Sequence, residues 1–130
     1  ACFPKDIENS RSNHIHIDGF VKDPKEFASN SGILVSPIIS GSGVRIKILE
    51  MMSIGIPVVT TKLGAQGINH QENDCLLIAD SDEEIITATT ELINNESLRK
   101  KIGANAIDYL RKNHSIEVIS KELIEFIRKI

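Results

Sequence analysis

The apolar positions of this chain follow two different rhythms that divide near Asp80. Up to that point short apolar runs alternate with polar stretches marked by glycine and proline; beyond it apolar residues recur only at helical spacing. The short runs read as strands at His14 to Ile17, Ile33 to Ser36, Pro57 to Thr60 and Asp74 to Ala79, because strands covered on both faces are apolar without alternation. A short helix from Pro24 to Ser29 joins the first two, and a helix from Val44 to Ile54 joins the second and third. That order predicts βαβ units, hence a parallel sheet with right-handed crossovers. Past Asp80, Ser81 and Glu84 have the spacing of a capping box, and Ile85, Thr89 and Leu92 share a face of the helix it opens. Leu98, Ile102, Ala106 and Tyr109 keep phase on a second helix, and a third begins at Ser115 and aligns Ile116, Ile119, Leu123 and Ile127. With no linker, repeat or low-complexity segment, the expected fold is one Rossmann-like α/β domain, a doubly wound parallel sheet with a C-terminal helical tail packed on its flank.

The densest chemistry lies between Ile33 and Glu50. A buried strand runs through Ser40-Gly41-Ser42-Gly43 into a helix that begins with Val44, Arg45 and Lys47. Cations there oppose the positive end of the helix dipole by roughly 0.3–1 kcal/mol each unless an anion lies among them. Free N–H groups after a glycine turn, the dipole and two cations describe a pocket for a phosphate or diphosphate. The competing account is a solvated helix start whose Lys47 pairs with Glu50, a contact worth a few tenths of a kcal/mol. Gly43, Lys47, Glu50 and Ile54 share a stripe, so the Glu50 carboxylate is expected on the side of the loop, where it can accept hydrogen bonds from a ribose diol. Gly55 stops this helix and Pro57 opens the next strand at once, the short return of an α/β unit. Gly19 and Phe20 follow one strand; Thr60, Thr61 and the loop Gly64-Ala65-Gln66-Gly67 end another. Both loops are expected at C-terminal ends of strands, where open parallel sheets hold ligands; the first reads equally well as an ordinary turn, and for the second a plain turn is the competing account.

Composition narrows the partners. A chain of 130 residues, 41% hydrophobic and 25% charged, supports one core. A net charge of −3 argues against a nucleic-acid groove, so the cations must act locally. Cys2 and Cys75 lack metal-ligand or redox spacing and read as reduced thiols of a cytosolic protein. No apolar run reaches the length of a membrane span, and no signal peptide is visible. His14 and His16 lack a third ligand, and His70 and His114 are assigned to the surface. Asp80, Asp82, Glu83 and Glu84 are acids favoured at a helix N-terminus, and no metal is expected.

Pro37 to Gly43, Arg45-Ile-Lys-Ile-Leu-Glu50, Gly55-Ile-Pro-Val-Val-Thr-Thr61 and Leu63-Gly-Ala-Gln-Gly-Ile68 together resemble the nucleotide-binding half of GT-B glycosyltransferases. Within these they resemble the retaining family 4, the group 1 glycosyltransferases. His16-Ile-Asp-Gly-Phe-Val21, Asn73-Asp-Cys-Leu-Leu-Ile-Ala-Asp80 and the helical tail to about Phe126 extend the resemblance over nearly the whole chain. It implies that residues 1–130 are the nucleotide-sugar-binding second domain of such an enzyme, N-terminally incomplete. The implied donor is a nucleotide-diphosphate sugar, bound without a cofactor or metal. The implied acceptor is a sugar or lipid-linked molecule held by an N-terminal domain, in polysaccharide or glycan biosynthesis. The implied location is the cytoplasm or the inner face of the membrane.

By the same resemblance the backbone of Gly41, Ser42, Gly43 and Val44 meets the diphosphate and donor sugar, and Arg45 and Lys47 add charge. Glu50 matches the second glutamate of the family's Glu-x7-Glu and holds the ribose; Gly19 and Phe20 border the base, and Thr61 faces the same crevice. Ser42 stands where the first glutamate belongs, so that carboxylate's contacts to the sugar do not carry over. The family's catalytic Arg and Lys precede anything matched here. Ala1-Cys2-Phe3-Pro4 resembles the end of the domain's second strand, which leaves a sheet edge open to pairing with another chain. Two other readings stand beside the transferase: a noncatalytic nucleotide- or phosphate-binding module, and a nucleotide-sugar epimerase of the same fold, whose catalytic carboxylate or histidine has no candidate here.

Overall fold

The computed structural model describes residues 14–29, 32–70 and 74–130. Helix α1 (Pro24–Ser29) precedes strand β1 (Leu34–Ser36), helix α2 (Ile46–Ser53), strand β2 (Val58–Thr60) and strand β3 (Leu77–Ile78). Helices α3 (Asp82–Asn94), α4 (Glu96–Asn113) and α5 (Ile116–Arg128) follow. The strands form one parallel sheet in the order β1-β2-β3, with Leu34 opposite Val58, Ser36 opposite Thr60 and Val59 opposite Leu77. Among the described residues β1 lies at the edge. The expected strand ending near Phe3 falls outside them.

Alternation along β2 builds a core on each face of the sheet. Val58 packs with Ile48, Met51 and Met52 of α2 and with Ala106 and Tyr109 of α4. Val59, the next residue, points the other way into a cluster with Ala79, Leu92 of α3 and Ile102 of α4. Burial of each such aliphatic side chain contributes about 1.5–3 kcal/mol. Helix α4 approaches the end of α2 so closely that a Cβ added at Gly103 would collide with the carbonyl oxygen of Gly55.

The helical expectations hold closely. Ser81 and Glu84 form both arms of the capping box: the Ser81 hydroxyl accepts the Glu84 N–H at 3.2 Å and the Glu84 carboxylate accepts the Ser81 N–H at 3.3 Å. Asn95 caps α4 and Ser115 caps α5 through the N–H groups of Leu98 and Val118. Helices α3 and α4 cover the sheet and α2, as the tail was expected to do. Helix α5 departs from that expectation: it packs against α4, buries none of its residues and leaves Ile116, Ile119, Leu123 and Ile127 exposed.

Other departures are local. His14 to Ile17 forms no strand beyond one bridging residue, Ile15, because both histidines and Ile15 are exposed and burial does not hold a strand there. The strand expected from Asp74 to Ala79 is limited to Leu77–Ile78, which pair with Val59 and Thr60; the Ala79 N–H adds a bond to Thr60 O at 2.8 Å, while Asp74, at φ +44°, is not extended. His114 is half-buried rather than free on the surface, its ring 5.5 Å from that of Tyr109. The Tyr109 hydroxyl in turn accepts the Asn69 N–H at 3.0 Å.

Candidate functional site

The glycine loop leaves β1 at Ser36 and enters α2 at Ile46. Gly41 (φ +108°) and Gly43 (φ +84°) take positive φ, a region open to glycine without steric cost. The helix begins at Ile46 and not at Val44 because Arg45, extended at φ −89° and ψ 95°, is the N-cap. Its side chain does not cap the helix. The guanidinium folds back into the loop, donating from Nη1 to Ser42 O at 3.0 Å and from Nη2 to Ser40 O at 3.5 Å. Among the described residues, no hydrogen-bond acceptor meets any N–H from Ile39 to Lys47. A row of donors thus ends on the positive pole of α2.

Lys47 and Glu50 form an ion pair, Nζ to Oε2 at 3.0 Å, with side chains 55% and 35% exposed. At that exposure the pair contributes at most about 1 kcal/mol. Lys47 also lines a cavity of 390 Å³ with Gly19, Phe20, Val21, Phe27 and Met51, which extends past α1 to Ile33, Leu34 and Ile56 at the starts of β1 and β2. Apart from Lys47 its wall is apolar, and Phe20 is 91% exposed at its border. Glu50 lines a separate shallow groove with Lys25, Ser53, Leu110 and His114. Gly19 and Phe20 are therefore brought to Lys47, and Glu50 reaches that group through its ion pair.

Thr61, expected to face the ligand, is buried. Its hydroxyl donates to Ile38 O at 2.6 Å and accepts the Gly64 N–H at 3.0 Å. Thr60 donates to Ser36 O at 2.7 Å. Reading the sequence missed this use of both hydroxyls, and the return of Arg45 onto its own loop; consecutive threonines at a strand end beside a glycine loop were the available signal for the first. Asp80 and Asp82 have the spacing of a metal-binding pair, but the Asp80 carboxylate accepts the Lys62 N–H at 2.8 Å and pairs with the Lys62 ammonium at 3.1 Å. The Lys62 backbone N–H, together with its side chain, holds the Asp80 carboxyl below the ordinary aspartate value. Burial pushes the Cys75 thiol up, as expected of an inert structural cysteine. Among the described residues no group of three or more metal-ligating side chains assembles, and no helix is long and apolar enough to cross a membrane.

Comparison with known proteins adds an independent line. Residues 4–95 match the model of the family described as Glycosyl transferases group 1. The chain is 26% identical over 123 residues to Glycosyltransferase 1 domain-containing protein 1 of Xenopus tropicalis, covering 89% of this chain and 34% of that protein. It is 25% identical over 93 residues to an uncharacterized 44.6 kDa protein in the cps region of Klebsiella pneumoniae, covering 72% of this chain and 24% of that one. Among solved structures it is similar to the C-terminal domain of a glycosyl transferase group 1 family protein (LpcC) from Francisella tularensis. That similarity has a TM-score of 0.57 and 28% identity, and covers 75% of this chain and 52% of the solved domain. The chain thus spans about a quarter to a third of the curated relatives it matches.

Proposed function

Because the chain belongs to the group 1 glycosyl transferases, we propose that it is the part of such an enzyme that binds the nucleotide-diphosphate sugar donor. The row of N–H groups from Ile39 to Lys47 that meet no acceptor among the described residues, running into the positive pole of α2, carries this reading. Donors fixed before the ligand arrives cost no reorganisation when negative charge develops on the departing diphosphate. Lys47 supplies a cation at the same helix start, and the apolar wall beside Phe20 suits a planar base. Glu50, one turn further along, suits a ribose. The Lys47–Glu50 pair is weak enough to part when a ligand offers a phosphate to one and a diol to the other. The acceptor, a sugar or lipid-linked molecule, is assigned to the remainder of the longer protein.

Titration calorimetry on the full-length protein, with UDP, GDP and ADP and their nucleosides, tests the reading. Glu50→Ala removes hydrogen bonds to a charged acceptor, each worth about 1.5–3 kcal/mol, so the preferred diphosphate is expected to bind at least about tenfold more weakly. Lys47→Ala is expected to weaken the diphosphate far more than the nucleoside, which has no phosphate charge. Wild-type affinity in both variants would place the donor site elsewhere.

A further inference from the structure

We propose that Thr60 and Thr61 are positioning residues that aim the glycine loop, acting on the donor diphosphate without touching it; this rests on the donor-binding reading above. Pairing between β1 and β2 ends at Ser36 opposite Thr60, so the backbone ladder stops where the loop begins. The two hydroxyls continue it. Thr60 Oγ1 donates to Ser36 O at 2.7 Å, and Thr61 Oγ1 donates to Ile38 O at 2.6 Å. Among the described residues, the second of these is the only hydrogen bond that ties residues 37–44 to the end of β2. The remaining bonds of the loop are internal to it: Ile38 N–H to Ser36 O, and the Arg45 guanidinium to Ser40 and Ser42 carbonyls.

Both hydroxyls are buried, Thr60 wholly and Thr61 to within 6% exposure, so neither is available to a ligand. Thr61 is also fixed from behind, because its oxygen accepts the Gly64 N–H at 3.0 Å. The carbonyls of Ser36 and Ile38 are therefore held toward the end of β2. Fixing these carbonyls sets the path on which the following N–H groups are presented. Without the hydroxyls the loop keeps its internal bonds but loses its tether to the sheet. A loop held only by its own ends has to be ordered by the ligand, which lowers affinity.

Valine matches threonine in shape and removes the donor. In the full-length protein, Thr61→Val, Thr60→Val and Thr61→Ser are compared with the wild type in calorimetry against the preferred diphosphate from UDP, GDP and ADP, and against its nucleoside. Hydrogen exchange of segments 36–38 and 61–66 is read alongside. Thr61→Val is expected to bind the diphosphate about tenfold more weakly, the scale of one lost buried hydrogen bond. Its nucleoside affinity should stay within about twofold, and exchange at Ile38 and Gly64 should accelerate. Thr61→Ser restores wild-type behaviour, and Thr60→Val repeats the loss in weaker form, which serves as the test if Thr61→Val does not fold. A wild type that binds no nucleoside diphosphate overturns the donor-site reading and this inference together. A wild type that binds it, with valine variants that bind it equally well, overturns the tether alone. Equal weakening of nucleoside and diphosphate also overturns it, since that is a general packing defect.

Discussion

Arg45 and Lys47 start the same helix with the same charge, yet their surroundings separate them. The planar guanidinium of Arg45 reaches two carbonyls of its own loop, a forked contact that an ammonium cannot reproduce, while the Lys47 ammonium stays half-exposed beside Glu50. The sequence marks both as cations in an unfavourable place; the extended backbone at Arg45 that turns its side chain back is a property of the folded loop alone. Asp80 gives a pH-dependent consequence at this scale. Its folded-state value lies below the unperturbed one, so its contribution to stability is complete above the ordinary aspartate range and disappears as pH falls through the lower, folded value. An NMR titration is expected to place the Asp80 midpoint below 3.8, and Asp80→Asn to remove that part of the acid response. A midpoint at or above 3.8 would contradict the role of the Lys62 N–H.

At the scale of elements, what was legible followed local rules. The capping box of α3 depends on Ser81 and Glu84 alone, and the start of α5 on Ser115, so a sequence displays them directly; the Asn95 cap of α4 was not read from the sequence. Ser81→Ala is expected to cost about 1 kcal/mol, read as a lowered denaturant midpoint at unchanged slope. Strand limits were less legible because they depend on a neighbour: β3 pairs only Leu77 and Ile78 with β2, and His14, Ile15 and His16 stay exposed despite the apolar spacing of their run. The candidate site divides the same way. The glycine loop and the cation at Lys47 could be read from residue types, whereas the separation of Glu50 from the Phe20 cavity and the burial of Thr61 required packing. The approach of α4 to Gly55 was likewise invisible from pattern. Gly103→Ala forces a methyl group against that carbonyl and is expected to cost about 1–3 kcal/mol, measurable as a fall in thermal midpoint with helix content retained.

Taken whole, the molecule has a sheet covered on both faces by helices, an apolar cavity along the edge strand and a final helix whose apolar side remains open. The donor site proposed above would provide only one of the two reactants, and positioning both supplies much of the rate gain in bimolecular transfer. The 130-residue chain alone is therefore expected to release no transferred sugar from UDP-, GDP- or ADP-sugars offered with simple acceptors; turnover in a coupled assay would show that it holds an acceptor as well. The junction at Tyr109 has a further consequence, for observation. Tyr109 is the only tyrosine, and the chain has no tryptophan, so its near-ultraviolet absorption and emission come from that ring together with the weaker phenylalanines. The ring is buried in the core beside His114, and its hydroxyl holds the Asn69 N–H of the segment after β2. The protein thus carries a built-in optical reporter on the joint between that segment and α4, and its unfolding can be followed there without a label.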